Sequence, residues 1–187
     1  MPEQNDNRAL YEWLALRCQS GERGAFEDLI AFMERPLLYY ATSLTGSQDA
    51  ALDVLQDVWL KVFRGIRKLK DPGALRPWLY TITHGIAVDR IRRNYSQRQA
   101  EEEQLRDFQE AEEPTFANED AAAIHIALEQ ITLKHREVLV LHFLEDLTLA
   151  GIAQVVGCSE GTVKSRLHYA KRALKEILKG ERNGQEN

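Results

Sequence analysis

LAGIAQVVGCSEGTVKSRL, residues 149–167, spells out two short helices joined by a tight turn. Ala153 falls where the first helix meets the second, a place for nothing larger than a methyl group. Gly157 falls where the chain must take a positive φ to turn sharply, which glycine does without the penalty a Cβ brings. Val163 is the inward anchor of the second helix. Ser159 precedes that helix and offers its hydroxyl to an orphan amide of the first turn, while Glu160 sets negative charge at the positive end of the helix dipole. Helical spacing predicts an outward face of Thr162, Ser165, Arg166 and Tyr169, with Lys164 and His168 on the flank. Arginine and lysine donate to guanine, and hydroxyls reach phosphates or base edges, so this face suits a major groove.

Working outward, the 187 residues are enough for two small domains, and 44% hydrophobic content is ordinary for a chain with real cores. No apolar run approaches the roughly 20 residues of a membrane span. Met1 to Asn7 is polar and lacks the apolar stretch of a secretory signal, so a cytoplasmic protein with no membrane insertion is expected. Cys18 and Cys158 are the two cysteines, far apart and without the clustered partners of a zinc site. They read as reduced thiols, and no metal or cofactor is expected.

The net charge of −5 looks wrong for a DNA-binding chain until it is located. Residues 94–118 hold seven acidic and two basic side chains, which is −5 by themselves, so the rest sums to zero. Positive charge gathers from Arg64 to Arg76 with Arg90, Arg92 and Arg93, and again from Lys164 to Lys179. Those local stripes are what phosphates would meet.

Away from the acidic segment, apolar residues recur at three and four and alternating β-branched runs are missing, so almost no strand is expected. The fold class is all-α: two small helical domains, residues 1–94 and 119–187, joined by an acidic flexible linker at 95–118, the second domain containing the helix-turn-helix. The first should hold helices around Tyr11 to Gln19, Gly24 to Leu44, Asp49 to Arg67 and Pro77 to about Asn94. In the third, Leu52, Leu55, Trp59, Val62 and Phe63 make an inward stripe, and Asp49, Asp53, Gln56 and Asp57 share a polar face. In the fourth, Trp78, Leu79, Ile82 and Ile86 face inward, while Asp89, Arg90, Arg92 and Arg93 crowd the end. The second domain begins near Asp120 with a stripe of Ile124, Leu128 and Ile131 and continues from Lys134 to Phe143. Its last helix extends to Leu178, with Leu174, Ile177 and Leu178 inward and Lys171, Arg172, Lys175 and Lys179 outward.

Three motifs in order carry a resemblance to a known family: Asp53-Val-Leu-Gln56-Asp57-Val-Trp59, then Leu75-Arg76-Pro77-Trp78-Leu79-Tyr80 with Ala87-Val88-Asp89-Arg90-Ile91-Arg92-Arg93, then Glu160 to His168. From about Gly24 to Leu178 the chain resembles the extracytoplasmic-function group of bacterial RNA polymerase sigma factors. The resemblance implies that Asp49, Asp53, Gln56, Asp57 and Lys61 grip the clamp of core RNA polymerase. It implies that Arg64, Lys68, Lys70, Arg76, Trp78, Tyr80, Arg90, Arg92 and Arg93 melt and read the minus-ten element of promoter DNA. The loop from Lys68 to Leu75 would hold an extruded base. Ser159, Glu160, Thr162, Lys164, Ser165, Arg166, His168, Tyr169, Lys171 and Arg172 would read the minus-thirty-five element. An anti-sigma factor is the further partner it implies.

Two positions depart from the family pattern. His84-Gly85 stands where an asparagine is usual, and Tyr169 stands where an arginine is common. The other function weighed is a stand-alone helix-turn-helix regulator that binds duplex DNA without polymerase. That reading needs a sensory domain ahead of the motif, with strands the first domain does not offer. An enzyme has little support: the five histidines are scattered, and no phosphate-cradling glycine loop appears.

Overall fold

A computed structural model describes residues 3–101, 124 and 126–185, with side chains described for 8–93, 124 and 126–179. No strand occurs among the described residues, and the chain divides into two units, 1–109 and 110–187.

The first unit is built from α1 (Glu3–Ser20), α2 (Ala25–Thr45), α3 (Gln48–Gly65) and α4 (Leu75–Glu101), with two short 3-10 turns, Ile66–Lys68 and Pro72–Ala74, between the last two. Local chemistry sets each boundary. Gly24 precedes α2 with φ 83°, and Gly46 closes it at φ 71°, its N–H donating to the Thr42 carbonyl at 2.8 Å. Ser47 caps α3 by accepting from the Ala50 amide at 3.4 Å. Asp71 accepts from the Gly73 amide at 2.9 Å and starts the turn that leads into α4. The fourth helix runs seven residues past the end expected at Asn94, because Ser96 to Glu101 contains neither glycine nor proline to stop it. The remainder of the expected linker, 102–118, lies outside the described residues.

The core of this unit brings Leu29, Met33, Leu37, Tyr40 and Ala41 of α2 together with Val54, Val58 and Val62 of α3 and Leu75, Leu79, Tyr80 and Ala87 of α4. Helix α2 packs against both α3 and α4, and Tyr40 meets Tyr80 edge-on with ring centroids 5.4 Å apart. The inward stripe of α3 differs from the expectation. Ala51, Val54, Leu55, Val58 and Val62 are buried, whereas Leu52 and Phe63, both expected inside, are 46% and 67% exposed. A helix stripe admits only one angular sector, and Ala51, Leu55 and the three valines occupy it.

At the end of α1, Arg17 pairs with Glu22 at 2.6 Å and Asp28 at 2.7 Å. The hydrogen bond from Arg17 holds the Glu22 carboxyl below the usual carboxylate range. Burial pushes the neighbouring Cys18 thiol up, and its Sγ donates to the Ala25 carbonyl at 3.2 Å.

The second unit contains α5 (Leu133–Leu139), a π turn at Val140–Leu144, α6 (Leu149–Val156) and α7 (Glu160–Gln185), preceded by a helical turn at 126–129. Leu128 and Ile131 are buried as expected, but Ile124 is exposed. The start of that helix near Asp120 lies outside the described residues, as does His125. Arg136 donates to the Glu129 and Ile131 carbonyls at 2.8 and 3.2 Å and so binds the end of this turn to α5. The widened turn bonds the Glu145 amide to the Val140 carbonyl and carries the chain out of the core, leaving Phe143 and Leu144 exposed.

The helix-turn-helix forms as its sequence predicts. Thr148 caps α6 by accepting from the Gly151 amide at 3.1 Å. Gly157 closes it at φ 66°, and the amides of Gly157 and Cys158 both reach the Ala153 carbonyl. Ser159 then caps α7, accepting from the Thr162 amide at 3.1 Å. Ile152, Val155, Val163, Leu167 and Ala170 are buried; Ala153 is only half-buried. A Cβ at Gly157 would meet nothing within 4 Å, so any penalty there is purely conformational. Gly157→Ala is therefore expected to lower stability by about 1 kcal/mol, and Gly157→Asn by less, in denaturant melts of the full chain.

Candidate functional site

Three exposed surfaces emerge, and each is set by a helix whose opposite side is buried. The first is the outward side of α7. Val163, Leu167 and Ala170 fix the inward direction, so Lys164, Ser165, His168, Tyr169, Lys171 and Arg172 fall to solvent. The rings of His168 and Tyr169 meet edge-on with centroids 5.4 Å apart. Ser159 and Glu160 are exposed at the start of the helix, and the Thr162 hydroxyl is held 2.9 Å from the Ser159 hydroxyl. Lys171 lies over the Phe143 ring, 4.9 Å from its centre.

Arg166 departs from the predicted outward set. Its guanidinium turns inward and donates to Glu137 Oε1 at 3.0 Å, and Glu137 is only 5% exposed. The reason is angular: Arg166 sits three residues after Val163 and four before Ala170, both in the core. Sequence reasoning missed Glu137 altogether. The available signal was a carboxylate directly before the apolar run Val138 to Leu141, a place where a lone acid needs a cation.

The second surface is formed by the end of α3, the loop after it and α4. Arg64, Lys68, Lys70, Arg92 and Arg93 are exposed. Arg93 Nε donates to the Asp89 carbonyl at 3.4 Å, and Arg92 lies 3.9 Å from the Asp89 carboxylate. Arg76 is half-buried with its guanidinium 5.1 Å from the centre of the Tyr11 ring. Trp78 packs close to Gly65, where an added Cβ would stand 3.1 Å from Cζ2. Tyr80 is corrected: it was expected at a DNA-reading surface but is 0% exposed and belongs to the core. Its neighbours Leu79 and Ile82 are buried as well, and Tyr40 closes over its ring.

The third surface runs along α3. Asp49, Asp53, Gln56, Asp57 and Lys61 are all exposed, and Leu52, Leu60 and Phe63 are exposed among them. Spacings of three and four set Asp49, Asp53, Gln56, Leu60 and Phe63 along one line of the helix. A mixed line of carboxylates and large apolar groups has the makeup of a protein-binding surface, because burying it removes apolar area while the charges fix register. Asp53 is joined to Arg90 of α4 by an ion pair, so one member of the second surface and one of the third are held together.

Among the described residues no group of three or more His, Cys, Asp or Glu is placed to hold a metal ion, and no helix is long and apolar enough to cross a membrane.

Comparison with known proteins adds sequence relatives to this geometry. The model of Sigma-70 region 2 matches residues 29–97, and that of Sigma-70 region 4 matches residues 127–176. The ECF RNA polymerase sigma factor SigM of Mycobacterium tuberculosis is 30% identical over 159 residues, covering 85% of this chain and 80% of its own length. RNA polymerase sigma factor SigV of Bacillus subtilis is 28% identical over 135 residues, covering 72% and 80%. Among solved structures, the sigma factor RpoE of Bartonella quintana, in complex with the anti-sigma factor NepR, has a similar fold. The TM-score is 0.73 at 24% identity, over 83% of this chain and 98% of that one.

Proposed function

The chain belongs to the extracytoplasmic-function family of RNA polymerase sigma factors, and on that premise we propose how its two lobes divide the work of promoter-directed initiation. Residues 1–94 bind core polymerase through the line of Asp49, Asp53, Gln56, Asp57 and Lys61 on α3, with Leu52, Leu60 and Phe63 buried on docking. The same lobe takes the opened minus-ten strands through Arg64, Lys68, Lys70, Arg76, Trp78, Arg92 and Arg93. Residues 119–187 read the minus-thirty-five element with Lys164, Ser165, His168, Tyr169 and Arg172 in the major groove. Residues 95–118 are the acidic connection between them. Sigma factors are DNA-binding regulatory proteins; this one performs no bond chemistry of its own and acts in the cytoplasm, where its polymerase and promoters are.

The observation that carries the reading is the capped helix-turn-helix, whose second helix buries Val163, Leu167 and Ala170 and leaves a continuous polar and basic face. The anti-sigma partner rests on the solved relative, which was bound to such a factor. An anti-sigma protein for this chain would cover the apolar members of α3 and so compete with core polymerase. The stand-alone regulator is not favoured: both sigma regions match, in order, and a relative of the same family spans most of the chain.

The test is transcription from a library of promoters with purified core polymerase and this protein as the sole added factor. Specific transcripts should start downstream of a shared two-part element. Lys164→Ala with Ser165→Ala is expected to lower promoter use about tenfold, the cost of one or two lost base or phosphate contacts, with core retention unchanged. Asp53→Ala with Gln56→Ala should instead weaken retention on core. Tight duplex binding without polymerase and no transcript would return the stand-alone reading.

A further inference from the structure

The loop between α3 and α4 is held from behind by a helix that lies outside the region 2 match. We infer that Gln19 is a positioning residue for promoter opening: its carboxamide fixes the backbone of the loop that presents Lys68 and Lys70 to the melted strand. The inference rests on the role proposed above for that loop.

Gln19 sits one residue from the end of α1 and is half-buried. Its Nε2 donates to the Ile66 carbonyl at 3.1 Å and to the Leu69 carbonyl at 2.7 Å. A carboxamide nitrogen has two protons, and both are used. The two acceptors bracket the 3-10 turn Ile66–Lys68, at the point where Leu69 (φ −66°, ψ 111°) leaves it as extended chain. Clamping both ends fixes the short arc from which Lys68 projects. The Leu69 carbonyl has left the helical bonding pattern, so a side-chain donor supplies what the backbone does not.

Other contacts from the same direction reinforce the clamp. A Cβ at Gly21, just past α1, would stand 3.2 Å from Arg67 Nη2, and one at Gly73 would stand 3.2 Å from Arg8 Nη2. Arg76 lies over Tyr11. Thus α1 and its exit touch the loop near its start and its end, while Arg64, Lys68 and Lys70 remain exposed.

A loop that must receive an unstacked base gains from being ordered beforehand, since ordering it on binding would be charged against the opening step. A surface glutamine surrenders its rotamer freedom to hold two carbonyls, and the return is a loop already in its receiving shape. Removing Gln19 should therefore slow melting and leave core binding and upstream recognition alone.

The experiment uses holoenzyme reconstituted from core polymerase and the full chain on a promoter it transcribes, with permanganate reactivity of melted thymines as the readout. Gln19→Ala is expected to slow open-complex formation about tenfold. Gln19→Glu, of equal size but aiming a carboxylate at two carbonyls, should slow it more, and Gln19→Lys, which restores a donor, should recover most of the rate. Core retention and occupancy of the upstream duplex should stay at the wild-type level in all three. Normal melting by all three variants, with slow melting by Lys68→Ala with Lys70→Ala, would mean that the loop works unbraced and the role of Gln19 is wrong. Normal melting by the lysine double variant as well would remove the loop assignment itself. Equal loss of core retention and melting in Gln19→Ala would reduce Gln19 to a residue of the fold and overturn the inference.

Discussion

Tyr80→Ala is expected to cost the first unit about 3–5 kcal/mol, the usual toll for deleting a fully buried aromatic ring. That is a large part of the total stability of a domain of this size, about 5–15 kcal/mol. The ring is 0% exposed and edge-on to Tyr40, in a core where Leu75, Leu79 and Ala87 of the same helix are also fully buried, so its loss leaves a cavity. Tyr80→Phe keeps the ring and gives up one hydroxyl, which limits its cost to about 1 kcal/mol. Denaturant melts followed by tryptophan fluorescence suit this question, because Trp13, Trp59 and Trp78 all lie in the first unit. A normal melt for Tyr80→Phe together with lost promoter opening would show that the hydroxyl reads DNA after all, and the core assignment would fall.

The second large effect is expected at Glu137. Glu137→Ala should destabilise the second unit by about 2–3 kcal/mol, because it removes the nearly buried carboxylate to which the half-buried Arg166 guanidinium donates. Arg166→Ala should cost a similar amount by removing a charge-assisted hydrogen bond from a carboxylate that is 5% exposed. Amide hydrogen exchange along α5 and α7 reads this directly and separates it from recognition. Lys164→Ala should weaken duplex binding while exchange stays slow, whereas Glu137→Ala should raise exchange first and lose duplex binding as a result. If Arg166→Ala left exchange untouched and still abolished upstream recognition, Arg166 would be a reading residue and its inward bond incidental.

These two residues also mark how far the sequence could be read. The helix-turn-helix was legible because its determinants are local: a turn glycine, a capping serine and an apolar anchor act within a dozen residues. The helical character of both units and the polar line on α3 were legible from spacing for the same reason. What failed was angular resolution. Leu52 and Phe63 fit a hydrophobic stripe as well as Val54 and Val58 do, and only packing against α2 and α4 selects the narrower one. Ser165 and Arg166 are neighbours near the boundary between inside and outside, and a carboxylate 29 positions away decides between them. Tyr80 lies within a motif full of interface-type residues, yet Tyr40 of α2 claims its ring. Gln19 gave no signal at all, since its acceptors are main-chain carbonyls 47 and 50 residues on.

On the proposed roles, with Asp53 facing core polymerase and Arg90 facing a promoter phosphate, the bridge between them would make binding of polymerase and binding of DNA reciprocal quantities. Any group on core that takes Asp53 frees Arg90 for a phosphate, and any phosphate that takes Arg90 frees Asp53 for core, so each event raises the affinity for the other by the same factor. Both side chains are partly exposed, and a pair of this kind is worth about 1 kcal/mol at most, which caps the factor at about fivefold. It is a bias and not a gate, one that salt would erode from both sides equally.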